Sequence, residues 1–226
     1  MRQIVLDTET TGLRVEEGHR IIEIGCIELV DRRITSKHFH YYFNPQREVE
    51  AGAFAVHGIS NEFLKDKPLF SHMLPAFVEF VKGAELIIHN APFDLSFLDE
   101  EFKLTKQNFP LITEICTVVD TLKLARQLHP GQRNTLDALC KRYSVDASDR
   151  QLHGALLDAN LLARVYLAMT GGQGSLFDVL EGDASAMASG VGSALPSQKY
   201  HLKVLLATPE EQEAHQIYMK TLQGAK

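Results

Sequence analysis

The feature of this sequence that most constrains its fold is the order of its short apolar runs. Runs at residues 3–8, 21–30 and 34–43 are separated by short polar or Gly-containing segments, which predicts an antiparallel meander of three strands. Beyond residue 70, segments with helical periodicity alternate with short strand-like runs. The predicted fold class is therefore α/β, with antiparallel strands first, parallel strands after them, and helices on both faces of a mixed sheet.

The second half of this pattern predicts individual elements. We expect strands at 85–90 and 115–119, and helices near 71–82, from Pro92 onward, and at 119–128, 134–143 and 154–169. Asn134 with Asp137 predicts an N-terminal cap for the helix at 134–143.

The composition changes after Gly171-Gly172. Eleven of the twenty-one residues at 178–198 are Gly, Ala or Ser, which offers little apolar surface to offset the entropy of ordering. We therefore expect a domain at 1–172, a short motif at 173–177, a flexible linker at 178–198 and a C-terminal segment at 199–226. Thr208-Pro209-Glu210-Glu211 predicts a capping box, with helical spacing of apolar residues after it.

Charge and cysteine content narrow the class of protein. The net charge of −6 argues against a broad electrostatic grip on duplex nucleic acid, so bound cations would have to supply local positive charge. The three cysteines are widely spaced in apolar surroundings, which favours reduced core thiols. With no signal-peptide pattern and no apolar run of membrane-spanning length, we expect a cytoplasmic protein without a membrane partner.

Two carboxylates, Asp7 and Glu9, stand two residues apart on the first predicted strand and so share one face. A shared cation would relieve their repulsion; the alternative is an edge strand with both acids in water. A calcium loop starting at Asp7 fails, because Gly18 occupies the position of its bidentate glutamate. A haloacid-dehalogenase phosphatase stays open as an alternative, although Glu9 stands where its second aspartate belongs and its later Gly-Asp motif is missing.

Three further residues carry candidate chemistry. Asp94 follows His89-Asn90-Ala91-Pro92-Phe93, where a strand passes into a helix, and such strand ends converge on ligand sites in α/β sheets. Asp158 lies in an apolar helical pattern, where an unpaired charge is costly, so it needs a partner. His153 precedes it by five residues, which places it on the loop before that helix if Asp158 faces the site.

An Asp-x-Glu strand, a helix-start Asp and a His-x₄-Asp, in this order, resemble the DEDD exonucleases with a catalytic histidine. The stretches 7–13, 56–59 and 89–94 further resemble the proofreading subunits of bacterial replicative polymerases. The resemblance implies a ribonuclease-H-like fold and 3′→5′ hydrolysis of DNA. It also implies that Asp7, Glu9, Asp94 and Asp158 hold two Mg²⁺ or Mn²⁺ ions, with His153 as general base.

The same resemblance implies further binding residues. The substrate's DNA 3′ end would contact Asp7, Glu9, Thr10, Leu13, His57, Asn90, Phe93 and Asp158. Gly52 stands where relatives often carry a sugar-contacting glutamate. The motif Gln173-Gly-Ser-Leu176-Phe177 resembles sliding-clamp peptides, and the C-terminal segment would bind the polymerase catalytic subunit. A DEDD-type exoribonuclease and a non-catalytic scaffold of the same fold remain alternatives.

Overall fold

The computed structural model describes residues 1–105, 109–148, 152–171, 208, 211, 212 and 215. Contacts between Cα atoms divide the chain into two units, Met1–Gly174 and Ser175–Lys226. The predicted clamp motif at 173–177 and linker at 178–198 lie outside the described residues, as does most of the C-terminal segment at 199–226.

The described residues form one five-stranded sheet in the order β3-β2-β1-β4-β5. Its strands are β1 (Arg2–Thr10), β2 (Ile21–Val30), β3 (Arg33–Tyr42), β4 (Glu85–Ile88) and β5 (Thr117–Asp120). The first three strands pair antiparallel, whereas β4 is parallel to both β1 and β5. The predicted mixed sheet is confirmed, and the alternative that Asp7 and Glu9 lie on an edge strand is wrong, since β1 is central.

The helices of the first unit are α1 (Ala51–His57), α2 (Asn61–Leu64), α3 (Phe70–Val81), α4 (Ala91–Leu104), α5 (Ile112–Ile115), α6 (Thr121–Leu128), α7 (Leu136–Arg142) and α8 (Ala155–Thr170). The five helices predicted from periodicity all form, each starting within two residues of its expected position. The helices α1, α2 and α5 were not predicted. The four residues of α2 and of α5 are too few to establish a helical period, and the first six residues of α1 are all Ala, Gly, Phe or Val, so they show no alternation of apolar and polar positions.

The alternation of side chains along β1 divides the core into two clusters. Ile4 and Leu6 pack with aromatic residues of α3 and α4, while Val5 packs with α7 and α8 on the opposite face. This period of two continues past the apolar residues, so Asp7 and Glu9 follow Val5 towards the α8 face. Thr8 follows Leu6 towards the face that α4 covers.

The predicted capping residue of α7 is wrong by one position. Thr135, not Asn134, is the N-cap, and its hydroxyl oxygen accepts a hydrogen bond from Ala138 N at 3.3 Å. Asn134 is buried and bonds instead to the loop before the helix. In its buried position the Asn134 amide forms several hydrogen bonds with the loop and so stabilises it. The exposed N-cap position is occupied equally well by the hydroxyl group of Thr135.

Three smaller predictions also have outcomes. Cys26, Cys116 and Cys140 are free and buried, as expected of core thiols. Among the described residues, no helix is both long and apolar enough to cross a bilayer. In the second unit, Thr208 N donates to Glu211 Oε2 at 2.8 Å and Glu211 N donates to Thr208 Oγ1 at 3.3 Å, which is the predicted capping box.

Candidate active site

The site begins where β1 extends beyond its parallel neighbour. Pairing between β1 and β4 ends at Leu6 and Ile88, so Asp7 to Thr10 continue past the carboxyl end of β4. The chain after β4 turns at Asn90, whose φ of 69° is left-handed, and enters α4 at once. The first turn of α4 therefore lies beside Asp7, Thr8 and Glu9, on the side of β1 where β4 has ended.

Asp94 lies in this first turn and is almost fully buried. The Thr8 hydroxyl donates to Asp94 Oδ1 at 2.7 Å. Burial nevertheless dominates and raises the pKa of Asp94 to about 7, with Thr8 opposing the shift and the charge of Asp120 adding to it. A cation at this carboxylate would recover the cost of ionising it inside the protein.

The other side of the site is built by α8, which lies directly on β2. Gly25 is paired with Asp7 across the strands, and a Cβ at Gly25 would overlap the backbone of Ala155 and Leu156. Glycine is thus what allows the first turn of α8 to approach β1. That approach carries buried Asp158 to the face of Asp7 and Glu9.

His153 stands on the loop before α8, as predicted, two residues ahead of the helix. Its backbone N–H donates to Val56 O in α1 at 3.1 Å, which fixes the loop, while its side chain stays 43% exposed. The ring Nδ1 is 3.3 Å from Asp158 Oδ2. Ligand atoms of Glu9, His153 and Asp158 lie within 4.8 Å of one another, so the geometry groups the histidine with two of the four carboxylates.

A single cavity of about 610 Å³ joins these parts. All four predicted metal-ligating carboxylates line it, and so do His153 and Phe93. Acidic oxygen ligands converging on one cavity suit Mg²⁺ and Mn²⁺, so the donor set fits divalent metals.

Four residues predicted to bind substrate do not line this cavity. The Thr10 hydroxyl donates to Gly12 O at 2.6 Å and shapes the turn that leaves Leu13 79% exposed. Asn90 is exposed at the start of α4. His57 is buried, and burial lowers its pKa despite opposing contributions from the Thr10 backbone and the charge of Glu23. Their contacts with substrate stay predictions.

Several residues that build the site were not found from the sequence. Thr8 supports Asp94, Gly25 admits α8, and His89 lines the cavity. The lone glycine inside an apolar strand is a recognisable sign of close backbone approach. The loop at 129–135 also contributes to the wall, through Gln132, Arg133, Asn134 and Thr135.

Comparison with known proteins decides the family. A family model described as "Exonuclease" matches residues 4–166, which contain every residue of the site above. The chain belongs to this exonuclease family. Its members include relatives named DNA polymerase III subunit epsilon: the Escherichia coli protein is 50% identical, covering 98% of this chain and 93% of its own. The Rickettsia prowazekii protein is 54% identical over 80% of this chain and 79% of its own.

Solved exonuclease structures share the fold. Exonuclease X in complex with 5′ overhanging duplex DNA is 26% identical, with a TM-score of 0.60 over 76% of this chain and 93% of its own. The nuclease domain of a DEDDh family member bound to rAMP is 18% identical, with a TM-score of 0.65 over 76% and 92%. At 18% identity, the similarity to this second structure supports a shared fold and nothing further.

Proposed function

We propose that this exonuclease is the proofreading subunit of a bacterial DNA polymerase III and removes nucleoside 5′-monophosphates from DNA 3′ ends. The observation that carries the proposal is the meeting of Asp7, Glu9, Asp94, Asp158 and His153 in one cavity. Near-full-length identity of about half to proteins named epsilon supports the replicative context. A scaffold of the same fold would have no use for buried carboxylates that destabilise it.

Asp7, Glu9, Asp94 and Asp158 would hold two divalent ions, Mg²⁺ or Mn²⁺. When bound, such ions activate water and stabilise the charge that develops on the departing 3′-oxygen. Asp94 contributes through its burial, which raises its pKa to about 7, so that a cation beside it would favour the charged form. The Thr8 hydroxyl holds one carboxylate oxygen of Asp94, which fixes the orientation of the group before any ligand arrives.

His153 would act as general base. The Nδ1 atom of His153 faces Asp158 Oδ2 at 3.3 Å, and a carboxylate can only accept a hydrogen bond. With a proton on Nδ1, the neutral ring would have its lone pair on Nε2, which could take a proton from the attacking water. Asp158 would then favour the tautomer that the reaction needs.

Selection of mismatches needs no reading of the bases. A mispaired terminus unstacks at lower cost than a paired one and so reaches the cavity more often. Phe93 in the cavity wall and exposed Leu13 offer apolar surface for packing on bases of any identity. Thr10, His57 and Asn90 would seat the terminal nucleotide around them.

The C-terminal region would connect the exonuclease to its partners. Gln173, Leu176 and Phe177 would dock in the sliding clamp, and residues 199–226 in the polymerase catalytic subunit. The capping box at Thr208 and Glu211 supports a helix start in that segment. Leu176→Ala with Phe177→Ala should weaken only clamp binding, whereas a chain ending at Gln198 should lose polymerase binding. If the wild type, the double variant and the truncated chain co-purified equally with the clamp and with the polymerase, this assignment of the two binding segments would be refuted.

The decisive assay uses 5′-labelled single-stranded DNA and RNA of one sequence, with Mg²⁺ or with excess chelator. We expect a ladder of products shortened from the 3′ end of DNA, only with the metal. Faster shortening of RNA would make the protein an exoribonuclease. Intact DNA, together with hydrolysis of small phosphomonoesters, would favour the phosphatase alternative.

A further inference from the structure

The active-site cavity is lined by groups of both charges. Besides its carboxylates, the cavity wall contains two arginines, Arg126 and Arg133. Among the described residues, no other arginine and no lysine lines the cavity. Both are exposed, and neither guanidinium forms an ion pair with a described carboxylate. Two cations that remain unpaired beside a set of acids are available to an anion from outside.

The loop that carries Arg133 is fixed in place by its own hydrogen bonds. Buried Asn134 donates from Nδ2 to His129 O at 3.2 Å and to Gln132 O at 3.1 Å. Arg142 of α7 donates to Asn134 Oδ1 at 3.0 Å and to Arg133 O at 2.9 Å. The backbone around Arg133 is thus ordered without a ligand, which lowers the entropy cost of binding one.

Arg126 reaches the same cavity from the last turn of α6. The start of this helix is tied to the site, because Thr121 Oγ1 is 2.9 Å from His89 Nδ1 and also donates to Ile88 O at 3.2 Å. Arg126 is therefore presented by a helix whose start is anchored at the end of β4, beside the turn that leads to Asp94.

We propose that Arg126 and Arg133 form a subsite for backbone phosphates of the nucleotides upstream of the scissile bond. The inference rests on the proposed function, since the terminal phosphodiester must lie at the carboxylates and the rest of the strand must leave the cavity. Guanidinium groups bind phosphate oxygens through paired N–H donors and do not read bases, which suits a site that accepts any sequence. On a chain of net charge −6, such local cations are needed to hold the strand.

The test compares two substrates of one chemistry. Single-stranded DNA has upstream phosphates, whereas the p-nitrophenyl ester of thymidine 5′-monophosphate has none. The full-length variant Arg126→Gln/Arg133→Gln is measured against the control Lys65→Gln/Lys82→Gln, which removes the same charge at exposed residues outside the cavity. Thermal unfolding of each variant verifies that both remain folded.

For the arginine variant we expect the KM for DNA to rise about tenfold with kcat little changed. The slope of log KM against log salt should fall by about 1.4, at about 0.7 for each phosphate contact on a single strand. Hydrolysis of the ester should match the control. A KM for DNA equal to that of the control, or an equal loss on the ester, would overturn the subsite. A wild-type protein inactive on both substrates would instead refute the proposed function.

Discussion

Buried acids in different regions of this protein have different partners, as Glu28 and Glu101 on the one hand and Asp94 on the other show. Glu28 and Glu101 are buried against arginines: Arg2 Nε donates to Glu28 at 2.7 Å, and Arg20 grips Glu101 with two bonds of 2.7 Å. Asp94 is equally buried but receives the neutral hydroxyl of Thr8, and no described Lys or Arg pairs with it. Glu28 and Glu101 thus have an arginine within the fold as their cation, whereas Asp94 has a neutral donor, and we propose that a bound metal supplies its cation.

Replacing Asp94 or Glu101 with its amide should affect different properties: kcat in the first case and the free energy of unfolding in the second. These are the largest effects that we expect. Asp94→Asn should lower kcat on single-stranded DNA by about 10³-fold or more, since metal ions stabilise the transition state by several kcal/mol. Glu101→Gln should cost about 3 kcal/mol of unfolding free energy, because it weakens a buried ion pair, while the folded fraction keeps its kcat. Turnover at the wild-type rate by Asp94→Asn would break the comparison.

His153, the proposed general base, lies beside a cavity acid, with Nδ1 3.3 Å from Asp158 Oδ2. His153→Ala should reduce kcat by about 10²–10⁴-fold. The matched control is His72→Ala, at an exposed position of α3. Single-turnover rates on labelled DNA distinguish the two, and a His153→Ala variant as fast as His72→Ala would remove the general-base role.

Gly25→Ala changes the spacing between α8 and β2 without touching a charge. The added methyl group would overlap the backbone of α8, so we expect a loss of about 1–3 kcal/mol and displacement of His153 and Asp158. The kcat should fall about tenfold as a result. Gly52→Ala is the control, because a Cβ there meets nothing within 4 Å. Equal activity of both variants would show that the approach of α8 does not set the geometry of the site.

The smallest effect concerns pH. Since the folded-state pKa of Asp94 is raised from 3.8 to about 7, the folded protein binds the proton more tightly than the unfolded chain does. In chelator, this carboxyl should therefore cost stability as pH rises from about 4 through 7. Asp94→Asn should melt several degrees above the wild type at pH 8, since each kcal/mol is worth roughly 2–4 °C, and close to it at pH 4. A difference independent of pH would contradict the assigned pKa.

Most of the sheet and five of the helices could be predicted from sequence, because the apolar residues that mark β1, β2 and α3 in the sequence are the ones that fill the core. The acids Asp7, Glu9, Asp94 and Asp158 could be found through their order and local context. Their spacing alone did not indicate that these four acids belong to one site; the resemblance to the exonucleases did.

What could not be predicted depends on contacts between distant segments. Thr8 reaches Asp94 across 86 positions, and Gly25 matters because of where Ala155 lies. Asn134 was expected to cap α7 and is a local exception: hydrogen bonds to His129, Gln132 and Arg142, all within eight residues, hold its amide elsewhere. Such residues carry little local signal, since their roles arise from the fold.

Binding of Mn²⁺, followed by electron paramagnetic resonance, tests most directly whether the acids of the cavity hold metal. Wild type, Asp94→Asn and Glu101→Gln would be titrated, and release of mononucleotide from single-stranded DNA measured in the same samples. We predict that wild type and Glu101→Gln bind Mn²⁺ alike and lose activity as chelator removes it, whereas Asp94→Asn binds weakly and stays inactive. Full DNA hydrolysis by the wild type in excess chelator, or unchanged Mn²⁺ binding by Asp94→Asn, would contradict this.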